Sequence, residues 1–147
     1  MTGVAGDAVR PARGYDSLMV ASSVFVVAIV LHGADHVRQG TGSLTREVFW
    51  GGAVIAVLGF GTLAMTALRH PRAPLYCAIV GLYTAIGVSA SHVLPHWSAF
   101  SDSYTNQVNA DFISWAAVLF EIGAAFVLGL LGVRELRRQR AAEPVRA

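Results

Sequence analysis

Residues 48–68 decide the fold: they read VFWGGAVIAVLGFGTLAMTAL and contain no Asp, Glu, Lys, Arg or His. A second stretch, residues 74–91, reads PLYCAIVGLYTAIGVSAS and is also free of these residues. The hydrocarbon core of a bilayer is about 30 Å thick, and a helix rises about 1.5 Å per residue, so roughly 20 apolar residues cross it. Both stretches therefore predict transmembrane helices.

The regions on either side of these stretches carry the same apolar character. Hydrophobic residues make up 54% of the chain and charged residues only 14%, whereas a soluble domain usually has about 25% charged residues. We predict an all-α, polytopic membrane protein with a four-helix bundle, whose spans are residues 17–37, 47–68, 74–94 and 111–133. Residues 1–16 are predicted to form a mobile N-terminal tail, and residues 134–147 a basic C-terminal tail.

The arginines predict the orientation of the bundle, because cytoplasmic segments are enriched in Lys and Arg. With the N-terminus inside, the two tails and the link at 69–73 hold nine arginines, and the outer segments hold only Arg38 and Arg46. This bias predicts an N-in/C-in, multi-pass protein of the cell inner (plasma) membrane. The absence of lysine, with many Ala, Arg, Gly and Val, favours a bacterial origin. Since the arginines lie at membrane edges, the predicted partner is the lipid bilayer and not nucleic acid.

Histidines gather near the predicted outer ends of two spans. His32, Asp35 and His36 end the first span, and their offsets of three and four place them on one helical face. His92 and His96 end the third span, again four apart, at similar depth. The order His32-Gly-Ala-Asp35-His36 also resembles the inverted zinc-protease motif, with Asp in place of Glu.

Glu121 is the second polar feature, since it lies near the middle of the fourth span among apolar neighbours. An unpaired charge at that depth costs about 2.5 kcal/mol or more. We therefore predict that Glu121 is protonated or has a partner inside the bundle. The residues predicted to bind a metal are His32, His36, His92, His96, Asp35 and Glu121.

Several occupants and functions fit this set. Neutral imidazole suits Zn, Cu, Fe or Ni, and one histidine from each of two helices could hold a haem. The leading hypothesis is a small membrane protein with a metal or haem site near its extracytoplasmic face. The alternatives are an accessory or structural subunit of a larger membrane complex, or a proton- or ion-conducting homo-oligomer that uses Glu121. The sequence leaves open whether the protein is an enzyme.

The ligand set is also loosely similar to that of seven-helix intramembrane hydrolases of the progestin-receptor and ceramidase type. Those proteins place a His-x-x-x-His pair, a further His, an Asp and a Ser around zinc. The resemblance implies that His92 and His96 form the pair and that His32 is the further histidine. The Asp would be Asp35, and the Ser would be Ser89 or Ser91. This chain departs from that family in having four predicted spans instead of seven.

Overall fold

Four long helices make up most of the chain. The computed structural model describes residues 10–40, 42, 44–105, 107 and 109–142 of the 147. Within these ranges the helices are α1 (Arg10–Gln39), α2 (Arg46–Ala67), α3 (Ala73–His92) and α4 (Phe112–Ala142). All four are long and apolar enough to span a membrane, which confirms the prediction of an all-α chain with four such helices.

The predicted tails are only partly visible. Residues 1–9 and 143–147 lie outside the described residues. The remainder of each predicted tail, residues 10–16 and 134–142, continues α1 and α4 as helix. At about 1.5 Å per residue, the 31 residues of α4 form a helix longer than a bilayer core requires.

A short link turns the chain back after α1. Gly40 follows the last helical residue with φ of 96°, and its N–H donates to the carbonyl of His36 at 3.1 Å. A glycine in the left-handed region is a common way to end a helix. The next helix begins after Thr45, whose hydroxyl accepts a hydrogen bond from the N–H of Val48 at 3.2 Å. These two caps define the end of the bundle near His36.

Large apolar side chains point outward on all four helices. Val27, Val57, Ile86 and Leu119, one from each helix, are each more than half exposed. Soluble proteins rarely expose extended apolar surfaces of this kind. The outward faces therefore have the character of surfaces in contact with lipid.

Glycine lets α3 and α4 approach closely. A methyl group on Gly81 would come within 2.5 Å of the carbonyl oxygen of Ala125 and within 2.5 Å of the backbone nitrogen of Gly129. Small residues commonly mediate such contacts between membrane helices, because their backbones can then pack directly. This contact fixes the position of α3, and hence of His92 at its end, relative to α4.

Gly81→Ala is expected to destabilise the bundle by about 1–3 kcal/mol, because the added methyl group overpacks the α3–α4 contact. The control is Gly87→Ala on the same helix, where no atom lies within 4 Å of the new methyl group. Gly87→Ala should leave stability unchanged or raise it by up to about 1 kcal/mol through helix propensity. Thermal unfolding in detergent measures both, and equal midpoints for the two variants would contradict the close contact.

Candidate metal centre

Three histidines converge at one end of the bundle. His32 and His36 lie one turn apart on α1, with ring centroids 4.7 Å apart. His92 is the last residue of α3, and its ring lies 4.8 Å from that of His32 and 5.3 Å from that of His36. Each histidine offers one ring nitrogen, and these three nitrogens all lie within 4.8 Å of one another. The group could hold a metal ion.

The spacing of these nitrogens is close to what a metal needs. Three atoms within 4.8 Å of one another lie within about 2.8 Å of a common point, and metal–nitrogen bonds are about 2.0–2.1 Å long. Side-chain shifts of about 1 Å or less would therefore complete the bonds. His32 and His92 are buried, whereas the side chain of His36 is 16% exposed. His36 is thus the most exposed of the three histidines.

Glu121 contacts the ring of His32 at Nδ1. Its Oε2 lies 2.5 Å from Nδ1 of His32, and both side chains are buried. With Glu121 as a carboxylate, the N–H of His32 would lie on Nδ1, towards the carboxylate, and the lone pair would lie on Nε2. Histidines that bind metals commonly donate their other N–H to a carboxylate in this way. The sequence predicts that Glu121 is protonated or has a partner inside the bundle. In the structure, its partner is His32 of the histidine cluster.

The part of the α3–α4 connection that directly follows α3, residues 93–105, folds back over the end of α3. The N–H of Asp102 donates to the carbonyl of Ser91 at 2.9 Å, and the N–H of Tyr104 donates to the carbonyl of His92 at 3.0 Å. These bonds satisfy carbonyls that the helix end leaves free. They also place the side chains of Asp102 and Tyr104 in buried positions over the histidines.

Asp102 faces the other two rings. Its backbone carbonyl accepts a hydrogen bond from Nδ1 of His92 at 3.0 Å. Its Oδ2 lies 3.6 Å from Nδ1 of both His36 and His92. Burial raises the pKa of the Asp102 carboxyl above its ordinary value, although a hydrogen bond from Gln107 opposes the rise. Nδ1 of His32 and Nδ1 of His92 thus each have a hydrogen-bonded oxygen, whereas the carboxylate nearest to Nδ1 of His36 lies 3.6 Å away.

Tyr104 lies on the opposite edge of the His32 ring from Glu121. Its hydroxyl is 3.2 Å from Nε2 of His32 and accepts a hydrogen bond from Gln39 at 3.4 Å. Burial, and to a smaller degree the nearby carboxylates, raise the pKa of Tyr104 above its ordinary value. The hydroxyl is therefore protonated at neutral pH and can donate to His32.

Asp35 is buried next to the cluster but turns towards its own helix. Its carboxylate accepts from Arg38 at 2.8 Å and from Gln39 at 2.6 Å. Arg38 also contacts Asp111 at 2.9 Å, so the two acids and the arginine tie the end of α1 to the start of α4. The pKa of Asp111 lies below its ordinary value because the N–H of Ser114, and then Arg38, stabilise the carboxylate. Asp35 is not a member of the group that could hold a metal.

Arg38→Ala is expected to lower the midpoint of thermal unfolding, since it leaves the buried Asp35 carboxylate without its cation and removes the link to Asp111. Arg46→Ala is the matched control, because Arg46 is an exposed arginine at the start of α2 near the same end of the bundle. The expected shift for Arg38→Ala is clearly larger than that for Arg46→Ala. Equal shifts in the two variants would show that the bridge contributes nothing to stability.

His96 lies outside the three-histidine group and is exposed. The reason is where α3 ends: helix stops at His92, and Pro95 follows three residues later. Proline has no N–H to donate, and it disfavours helical geometry at the residue before it. The spacing of four between His92 and His96 therefore does not lie on a helix, so the two side chains do not share a helical face.

In the sequence, Asp102 and Tyr104 belong to the polar segment between the third and fourth predicted spans. No periodicity marks them, because their positions depend on backbone bonds to residues about ten positions earlier. The one available signal was a carboxylate and a phenol in the segment that directly follows a candidate ligand histidine.

Comparisons of the chain with models of protein families, with curated proteins and with solved structures found no match. The geometry of the histidine cluster is thus the basis for a functional conclusion.

Proposed function

We propose that this is an integral membrane protein that binds one transition-metal ion through His32, His36 and His92. The observation that carries the proposal is the approach of three ring nitrogens, from two helices, to within 4.8 Å of one another. The hydrogen bonds at Nδ1 of His32 and of His92 add support, because such partners fix the orientation and tautomer of metal-binding histidines.

Zinc is the occupant that best matches this ligand set. Three neutral imidazoles with one remaining position form a common tetrahedral zinc arrangement. Copper, iron and nickel also accept imidazole and are the competing ions. A haem fits less well, because the three rings are 4.7–5.3 Å apart. A porphyrin could not lie between any two of them unless the helices moved apart.

The site supports the metal hypothesis over the role of an accessory subunit. That alternative requires Glu121 to face outward, towards a helix of a partner, with His32 and His92 pointing apart. Glu121 is instead only 3% exposed and contacts His32, whose ring lies beside that of His92.

We further propose an N-in/C-in orientation in the inner membrane, which would place the metal site at the extracytoplasmic face. The support is the excess of arginine on the opposite side of the bundle and the exposed apolar faces that suit a lipid environment. Reporter domains fused to each terminus test the orientation, and activity of a periplasm-specific reporter at either end would contradict it.

Metal analysis of the detergent-purified protein tests the proposal. The protein is stripped with a chelator, dialysed separately against zinc, copper and iron, and washed. We expect one zinc ion per chain after washing. If none of the three metals is retained in stoichiometric amount, the proposal is wrong.

A further inference from the structure

We propose that the hydroxyl oxygen of Tyr104 is the fourth ligand of the metal, which makes the centre a three-histidine, one-tyrosine site. This inference rests on the proposed function. Its basis is the 3.2 Å distance between the Tyr104 hydroxyl and Nε2 of His32. Two ligands of a tetrahedral ion with bonds of about 2.0–2.1 Å lie about 3.3 Å apart. The phenol oxygen thus already lies at the separation that a shared ion requires.

The phenol ring is held firmly in this place. Its centroid lies 4.8 Å from that of His92 and 5.8 Å from that of Trp115, against which it packs edge-on. The backbone N–H of Tyr104 is bound to the carbonyl of His92, and the residue is buried. Such support keeps a ligand close to its bonding position before the ion arrives.

The three carboxylates near the histidines contact groups other than Nε2 of His32. Glu121 contacts Nδ1 of His32, which is the ring edge opposite Nε2. Asp102 approaches the other two histidines from their Nδ1 sides. Asp35 is bound by Arg38 and Gln39. On the Nε2 side of His32, the structure places the Tyr104 hydroxyl.

Ligation by Tyr104 exchanges a proton for the ion. Without metal, a Glu121 carboxylate would accept from Nδ1–H of His32, and Nε2 would then accept the hydrogen bond from the Tyr104 hydroxyl. An incoming ion takes the lone pair of Nε2, the O–H bond of Tyr104 breaks, and an oxygen–metal bond forms. One proton per ion is released to water. A buried phenolate without a cation is costly, so the phenolate forms only when the ion is bound.

The test compares zinc-loaded and zinc-free protein by near-ultraviolet difference spectroscopy, with affinity measured by equilibrium dialysis. We expect a tyrosinate band equivalent to one residue per chain on zinc binding. Tyr104→Phe should still bind one zinc ion, without the band and with affinity at least about tenfold weaker. Tyr83→Phe, which removes an exposed tyrosine of α3, should retain both the band and the affinity.

The outcomes separate this inference from the proposed function. If the unaltered protein binds one zinc ion without a tyrosinate band, and Tyr104→Phe binds it equally well, Tyr104 is not a ligand while the three-histidine site stands. If the unaltered protein binds no zinc, copper or iron, both the proposed function and the inference fail. The spectrum of the unaltered protein is informative by itself, so the test does not depend on how well Tyr104→Phe folds.

Discussion

Replacing His32 and His92 together with alanine is expected to abolish stoichiometric zinc binding. The change removes two of three ligands, one from each contributing helix, and leaves only the partly exposed His36. Affinity should fall by at least about 100-fold, since even partners of ligands contribute 10–100-fold. Equilibrium dialysis followed by metal analysis measures the loss.

His96→Ala is the matched control for the double variant. His96 is an exposed histidine on the segment after α3, and it was predicted from the sequence as a ligand. Because it lies outside the cluster, its replacement should leave zinc binding unchanged. Equal loss in His96→Ala and in the double variant would contradict the ligand set proposed here.

Thermal unfolding of the double variant and of its His96→Ala control gives a second measurement of zinc binding. An ion that binds only the folded state stabilises it by about 2.7 kcal/mol when its free concentration is 100 times the Kd. Zinc should therefore raise the unfolding midpoint of the unaltered protein and of His96→Ala. It should not raise that of the His32→Ala/His92→Ala variant.

The second large effect is expected for Glu121→Gln. The glutamine keeps the size of the side chain and can still accept a hydrogen bond from Nδ1 of His32, but it lacks the charge that strengthens His32 as a ligand. Removal of such a carboxylate partner lowers metal affinity by about 10–100-fold. Zinc competition with a chromogenic chelator in detergent measures the affinity.

Glu47→Gln is the control for this change, because Glu47 is an exposed acid in the first turn of α2. It should bind zinc with unaltered affinity. If Glu121→Gln binds zinc as tightly as Glu47→Gln does, Glu121 does not tune His32, and its contact with the ring has only a structural role.

The four apolar helices could be predicted from sequence because the signal is local. A bilayer requires about 20 consecutive apolar residues, and stretches such as residues 48–68 show this without reference to the rest of the chain. The shared face of His32 and His36 is equally local, since a spacing of four on a helix brings side chains together. His92 joins them because it ends α3, whose last turn lies at the same end of the bundle.

The positions of the other site residues depend on competition between possible partners and on contacts between residues that are far apart in the sequence. Asp35 has Arg38 and Gln39 three and four residues further along its own helix, and these nearer partners bind it. Pro95 separates His96 from the helical register of His92. Asp102 and Tyr104 reach the histidines only because the connection after α3 bonds back to the carbonyls of that helix. No pattern within the segment specifies that return.

The most direct test of the three-histidine centre is X-ray absorption spectroscopy at the zinc edge on the zinc-loaded protein. We predict a four-coordinate ion with three imidazole nitrogens at about 2.0–2.1 Å and one oxygen ligand. A spectrum with fewer than three imidazoles, or an ion surrounded only by oxygen, would show that His32, His36 and His92 do not form the metal site.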